Sequence, residues 1–233
     1  MACILHIETS TDTCSVALSE RGSVLHSDVR REGGPSHASA LAPMVADALS
    51  FAESHAIPLD AVAYSEGPGS YTGLRIGLSE AKGVCYGRSV PLIAVSTLQL
   101  LCVGPLLTLD LPGDALICPM LDARRMEVYA ALYDRALQEV RPAQADIIDE
   151  HSYADFLEQR PVWFFGPGAE KCKSVIRHPA AHFVEGIIPL AQNMMPLAEM
   201  KFLRQQFADV AYAEPFYLKE YVAAKPKNAL KGL

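Results

Sequence analysis

The chain has 233 residues, half of them hydrophobic, with 20 Lys and Arg against 27 Asp and Glu and a net charge of −7. That is enough apolar material for one large domain or two small ones, and the acidic balance excludes a global basic field that would draw the protein onto nucleic acid or anionic membrane. Work on RNA would need a partner to supply positive surface.

Six cysteines (Cys3, Cys14, Cys85, Cys102, Cys118 and Cys172) are scattered in mostly apolar company, with no C-x-x-C pair or Cys/His cluster. The N-terminus, MACILHIE, enters a strand with no basic n-region or cleavage site. Reduced thiols in a cytosolic protein fit this better than a disulfide scaffold or a zinc site.

In chain order, residues 2–8 (ACILHIE) and 14–19 (CSVALS) predict strands, with TSTDT turning between them. ERGS makes the next turn, and SVLHSDVR returns as a third strand. After REGGP, Leu41, Met44, Val45, Ala48, Leu49 and Ala52 fall at helical spacing and predict an amphipathic helix over 36–55, with Ser36 as its N-cap. Pro58 closes that segment, 61–65 reads as a strand, and EGPGS leads into a helix over 71–87. The next twenty residues, Val90 to Leu109, carry no charge. Pro91, Gln99, Gly104, Pro105 and the Ser96–Thr97 pair break the run up, so a buried strand, a cap and a short helix fit better than a membrane span.

The second half repeats this plan. ILHIETSTDTCSVAL aligns with CPMLDARRMEVYAAL, setting Ile7 against Leu121, Glu8 against Asp122 and Leu18 against Leu132. AVAYSEGPG is echoed by PVWFFGPG at 161–168. Two matches in the same order predict two related β-β-β-α-β-α halves, the second less complete, with mixed sheets flanked by helices. A cleft between such halves is a natural nucleotide site. TSTDT (Thr9, Ser10, Thr11, Asp12) and FGPGAEK (with Gly166 and Gly168) would be its phosphate-facing loops. Hydroxyl- and glycine-rich turns also serve merely to reverse strands, and composition alone favours that use.

IETSTDTCSVAL, HASALAPMV, GPGSYTGLRIG, AVSTLQ, DARRMEVYAALY and EPFYLK occur in an order that resembles the bacterial TsaB (YeaZ) family, GPGSYTGLRIG being the most specific. The resemblance covers nearly the whole chain and is weakest over about 135–160, where no motif holds it. It implies an α/β, two-lobed actin/sugar-kinase/Hsp70-like (ASKHA) fold. The division expected is an N-terminal lobe over 1–90 and a reduced C-terminal lobe with an exposed tail over 91–233. It also implies a part in making N6-threonylcarbamoyladenosine at position 37 of tRNAs that read codons starting with A. In that family the transfer chemistry belongs to a metal-holding paralogue, TsaD. The TsaB subunit is a non-catalytic partner, and the assembly includes a TsaE-type ATPase. The family resemblance therefore implies a heterodimer with TsaD, a homodimer when the chain is alone, contact with tRNA only through the complex, no membrane, and no cofactor of its own. ATP or ADP at the junction with the partner is left open.

The residues give little support to catalysis by this chain. The only histidines at H-x-x-x-H spacing, His178 and His182, flank Pro179 in RHPAAH and read as a solvated turn. By analogy with the paralogue, metal ligands would be expected at 92–105, where there is no histidine. A sugar-kinase-type phosphotransferase would draw its base and Mg²⁺ ligands from Glu8, Asp12 or Asp122. Acidic residues at strand ends are usually just solvated or capping, and the second glycine loop has shrunk to GPG. No Ser/His/Asp or Cys/His nucleophile is legible, and the glycoprotease label of some relatives has no support in these residues.

That leaves the 71–87 helix. Gly73, Gly77, Ala81 and Cys85 make a stripe of small residues, expected to lie against this chain's own sheet. Tyr71, Leu74, Arg75, Leu78 and Lys82 are read as a mixed exposed face. With His37, Leu41, Met44 and Ala48 of the first helix, they form a surface too apolar to leave in water. In the TsaB family these two helices pair with their counterparts in TsaD, and the resemblance assigns this surface to the partner. From Tyr217 onward, Lys219, Lys225, Lys227 and Lys231 stand against Glu220, reading as a solvated tail rather than a tRNA contact.

Overall fold

The computed structural model describes residues 2–31 and 37–219. The first sheet begins with an antiparallel meander, β1 (Cys3–Glu8), β2 (Thr13–Glu20) and β3 (Ser23–Arg31). α1 (His37–Ser54) crosses over to β4 (Ala61–Gly67), which lies parallel to β1, and α2 (Tyr71–Arg88) crosses to β5 (Leu92–Ser96), parallel to β4. After α3 (Thr97–Thr108) the second sheet repeats the sequence: β6 (Leu116–Asp122), β7 (Glu127–Tyr133), β8 (Glu139–Ile147), α4 (Ala154–Leu157), β9 (Val162–Phe165), α5 (Ala169–Cys172) and β10 (Ala181–Val184). A 3₁₀ turn (Ala191–Met194) and α6 (Met195–Leu203) follow.

Strand order is β3-β2-β1-β4-β5 in one sheet and β8-β7-β6-β9-β10 in the other, the same order twice. The repeat predicted from sequence is therefore a repeat of topology. Glu8 and Asp122 end β1 and β6, and Thr13 and Glu127 open β2 and β7. The second copy is reduced in a literal sense. Its crossover helices α4 and α5 have 4 residues each, where α1 and α2 have 18.

Every residue of β1 is buried, because the strand is central and both its faces are covered. Leu5 and Ile7 face Leu41, Met44, Val45 and Leu78 of α1 and α2. On the other face, Ile4, Ala61, Ala63 and Ile93 meet Leu100 and Val103 of α3 and Met194, Leu197 and Ala198 near the C-terminus. α3 also lies against the second sheet, through Leu98, Leu101 and Cys102 on Ile117, Leu121 and Phe165. The uncharged 90–109 stretch is thus core, wedged between the lobes, and Pro105 stays inside α3 rather than ending it. No helix of the described residues is long and apolar enough to cross a membrane.

The boundary expected at residue 90 moves. β5 pairs with β4, and its Ile93 and Val95 belong to the first lobe's core, so that lobe runs beyond residue 90. α6 returns to it as well, with Lys201 Nζ donating to the Ala94 carbonyl at 2.6 Å. Ser36 lies outside the described residues, as does the tail from Glu220, including Lys225, Lys227 and Lys231.

Candidate functional site

The loop after β1 is where a nucleotide's phosphates would meet the first lobe, and its donors are already spent. Thr9 and Ser10 are 1% and 2% exposed. The Thr9 hydroxyl donates to the Gly73 carbonyl at 2.8 Å, and Ser10 donates its N–H and its hydroxyl to Glu8 Oε1 at 2.6 and 2.5 Å. The Ser10 carbonyl in turn accepts from Ser70 N at 2.7 Å. Thr11 and Asp12, further round the turn, are half-exposed and exposed.

The glycine stripe of α2 explains how this loop can sit so close. A Cβ on Gly73 would stand 2.1 Å from the Thr9 carbonyl oxygen, and one on Gly77 would stand 2.2 Å from the Thr9 hydroxyl. Only glycine lets the helix press on the loop at that distance. Ser70 caps the helix by accepting from Gly73 N at 3.3 Å. Ala81, next along the stripe, packs in the core of the first lobe. The stripe thus lies against its own chain, on the loop beyond β1 rather than on the middle of the sheet.

The second loop is equally closed. Gly168 N donates to the Met120 carbonyl at 2.9 Å. A Cβ at Gly166 or Gly168 would stand 2.5 Å from Met120 O or 2.8 Å from the Leu121 carbonyl. These residues form a strand-end wedge and do not fit a phosphate.

The three candidate carboxylates diverge. Glu8 is fully buried, its Oε2 has no partner, and burial pushes its carboxyl above the usual range against the pull of the Ser10 and Ser65 hydrogen bonds. Beside it on the same face of β1, His6 is fully buried, and burial holds its imidazole down to about 3. Asp12 stands in solvent. Asp122, the positional counterpart of Glu8, pairs with Lys171 and accepts from Arg124 N at 2.8 Å. They do not converge on one point. Of the histidine pair, His182 stacks on Trp163 with centroids 4.3 Å apart, while His178 Nδ1 accepts from Ala180 N. Among the described residues no three His, Cys, Asp or Glu gather as metal ligands would.

Of the nine residues read as an exposed partner face, Arg75 is exposed and most of the others are not. Leu41, Met44, Ala48, Leu74 and Leu78 are 5% exposed or less and belong to this chain's core. His37 is buried too, with Nε2 donating to the Thr11 carbonyl at 2.7 Å. The geometric reason is simple. Consecutive helical residues differ by about 100°, so Leu74 and Leu78 are neighbours of Gly73 and Gly77 on one wide buried face, not their opposites.

Tyr71, Arg75 and Lys82 hold a C-terminal strap instead. Tyr217 stacks on Tyr71 at 4.8 Å and accepts from Arg75 Nε at 3.1 Å, and Lys82 Nζ donates to the Ala211 carbonyl at 3.1 Å. Phe216 N donates to the Glu66 carbonyl at 2.7 Å, and Ala208 N donates to Leu92 O at 2.8 Å. A Cβ on Gly67 would meet Phe216 O at 2.5 Å. This strap was missed from sequence, and the EPFYLK motif was the signal that pointed to it.

What faces solvent on the two long helices is, apart from Arg75, a different set. α1 exposes Ala38, Ser39, Ala42, Pro43, Ala46, Asp47, Ser50, Glu53 and Ser54, and α2 exposes Thr72, Arg75, Ser79, Gly83, Tyr86, Gly87 and Arg88. Tyr86 is 86% exposed. Between the helices a groove of about 270 Å³ is lined by Leu49, Val84, Ser79, Gly83 and Gly87 together with the charged Glu80 and Arg88. A Cβ at Gly83 or Gly87 would meet nothing within 4 Å. These glycines lower helix stability, and nothing among the described residues packs into the space they leave.

Residues 28–227 match the family model described as TsaD: tRNA N6-adenosine threonylcarbamoyltransferase. The chain is 32% identical over 230 residues to the tRNA threonylcarbamoyladenosine biosynthesis protein TsaB of Escherichia coli (strain K12), covering 95% of this chain and 96% of that one. It is 32% identical to the Bacillus subtilis (strain 168) protein of the same name over 227 residues, 93% of each chain. Among solved structures it resembles a Pseudomonas aeruginosa protein described as similar to peptidase YeaZ. The TM-score is 0.79 and the identity 26%, over 94% of this chain and 100% of the other. YeaZ from Pseudomonas aeruginosa gives a TM-score of 0.72 at 27% identity over the same shares.

Proposed function

The chain belongs to the TsaB family of tRNA threonylcarbamoyladenosine biosynthesis proteins, and from that premise we propose that it is a non-catalytic subunit that binds and organises TsaD for threonylcarbamoylation of tRNA in the cytoplasm. The observation that carries the reading is the outer face of α1 and α2, where small side chains predominate beside Asp47 and the Glu53–Arg88 ion pair, and two solvent-facing glycines leave room for other helices to approach. Close helix packing is what recovers the cost of such glycines. Two helices presenting this face to two like helices of a paralogue make a four-helix contact, and the same face on a second copy closes a homodimer.

The sealed loops support the non-catalytic part. With the Thr9 and Ser10 donors committed internally and Glu8 out of solvent, the loop after β1 has no free donors for phosphates and no exposed carboxylate at Glu8. Any ATP or ADP of the assembly belongs at the junction with TsaD, and a TsaE-type ATPase completes the complex.

The test follows from the exposed set rather than the buried leucines, whose replacement would damage the fold. Ala42→Arg and Gly83→Arg put long cations where a side chain meets open space. Each variant should keep the wild-type circular dichroism and melt no lower than the wild type, lose co-elution with TsaD in size-exclusion chromatography, and lower threonylcarbamoyl transfer in a reconstituted mixture. Variants that still co-elute with TsaD at wild-type affinity would remove α1 and α2 from the interface.

A further inference from the structure

The turn between β6 and β7 contains two consecutive arginines, Arg124 and Arg125, both in the left-handed region (φ 70° and 50°). That backbone suits Gly, Asn or Asp and penalises other L-residues. It is a tight turn. Arg124 N donates to Asp122 Oδ1 at 2.8 Å, Glu127 N to the Arg124 carbonyl at 3.1 Å, and Ala123 N to the Glu127 carbonyl at 3.0 Å. Asn-Gly would fill such a turn without strain, yet the chain keeps two long cations there.

Both arginines are exposed, and among the described residues neither guanidinium makes a hydrogen bond or an ion pair. The carboxylates at the base of the turn do not capture them, because other cations hold both. Lys171 pairs with Asp122 and donates to the Glu127 carbonyl at 2.7 Å, and Lys219 pairs with Glu127. Four cationic side chains therefore surround two carboxylates, on a protein whose total charge is −7. Two residues before Lys219, Tyr217 stacks on Tyr71, and the Arg75 guanidinium lies 4.2 Å from the centre of the Tyr71 ring. Lys219 thus ties this C-terminal strap to the base of the turn. The two free guanidiniums project from an exposed turn, so they suit phosphates of an extended polyanion better than an enclosed small ligand.

We propose that the β6–β7 turn is a phosphate contact for tRNA within the assembled complex, with Arg124 and Arg125 each neutralising a backbone phosphate and Lys219 adding to the field. The contact rests on the reading above that the chain acts on tRNA together with TsaD. It makes this subunit part of the substrate surface as well as a scaffold. It carries no sequence information, since phosphate contacts set position and base contacts specify.

The experiment uses the double variant Arg124→Asn/Arg125→Gly, which installs the residues that the turn's backbone favours, assembled with TsaD. Its melting temperature should equal or exceed that of the wild type, and it should co-elute with TsaD as the wild type does. Binding of an unmodified tRNA transcript is followed by fluorescence anisotropy over a salt series of roughly 50–300 mM, where each lost phosphate contact lowers the slope of log K against log salt by about 0.7–0.9. The double variant should lose about 1.4–1.8 of that slope and bind at least tenfold more weakly at about 50 mM salt. Arg124→Lys/Arg125→Lys, which keeps the charge, should retain the wild-type slope. An unchanged slope and affinity in a double-variant complex that assembles normally would overturn the proposal. Failure of the wild-type chain to assemble with TsaD would overturn the proposed function and take this contact with it, and co-elution reads that outcome separately.

Discussion

Glu8 ends β1 with one carboxyl oxygen accepting twice from Ser10 and the other without a partner, in a site closed to water. Burial favours the protonated form, so its folded-state pKa stands above the unfolded value. Below about pH 4 both states hold the proton and the site exacts no penalty. As pH rises, the unfolded chain releases its proton first, and stability falls until the folded pKa is passed. His6, lowered by burial, has the opposite slope, losing stability as pH falls below about 6.5. Glu8→Gln keeps an acceptor for Ser10 and cannot ionise, while His6 contributes alike to both proteins. The stability difference should therefore move in favour of the variant as pH rises from about 4 to 7. Chemical denaturation of both proteins at several pH values across that window checks it, and parallel stability curves would rule out a buried, proton-holding Glu8.

At the scale of the element, α2 contains glycines with opposite duties. Gly73 lies against Thr9, where a Cβ would stand 2.1 Å from a backbone carbonyl oxygen, in a loop pinned next door by Ser70 N donating to the Ser10 carbonyl at 2.7 Å. Gly83 faces open space. Alanine is the better helix former by about 1 kcal/mol at both positions. At Gly73 overpacking by roughly 1–3 kcal/mol should outweigh it, so Gly73→Ala lowers the melting temperature while Gly83→Ala raises it. Matching shifts of one sign would show that the close approach to Thr9 carries no energetic weight. The same helix shows what the sequence could and could not tell. Its start at Ser70, its length and its small-residue stripe were all legible from spacing and cap chemistry. Which flank met solvent was not, because Tyr71, Arg75 and Lys82 are taken up by a strap more than 120 residues away, and no periodicity reports so distant a contact.

At the scale of the whole molecule, the duplicated halves were readable because β1–β2 and β6–β7 keep the same strand ends at Glu8 and Asp122. The C-terminal return was not readable. Met194, Leu197 and Ala198 look like any short apolar helix, and only the fold reveals that they cover Ile4, Ala61 and Ile93 on the first sheet. The first lobe is accordingly completed by residues from the far end of the chain. Ser15 adds a polar link, accepting from Ala191 N at 2.9 Å. Two lobes built in this way should not melt separately, because unfolding the second lobe strips one face of the first sheet. A fragment of residues 1–109 retains all five strands of that sheet but leaves Ile4, Ala63, Ile93 and Val95 covered by α3 alone. We expect the fragment to lack a cooperative thermal transition and to bind a hydrophobic dye, while the full chain unfolds in one step. A fragment that melted cooperatively at the temperature of the full chain would mean that the first lobe is self-sufficient and that the C-terminal return serves some purpose other than closing its core.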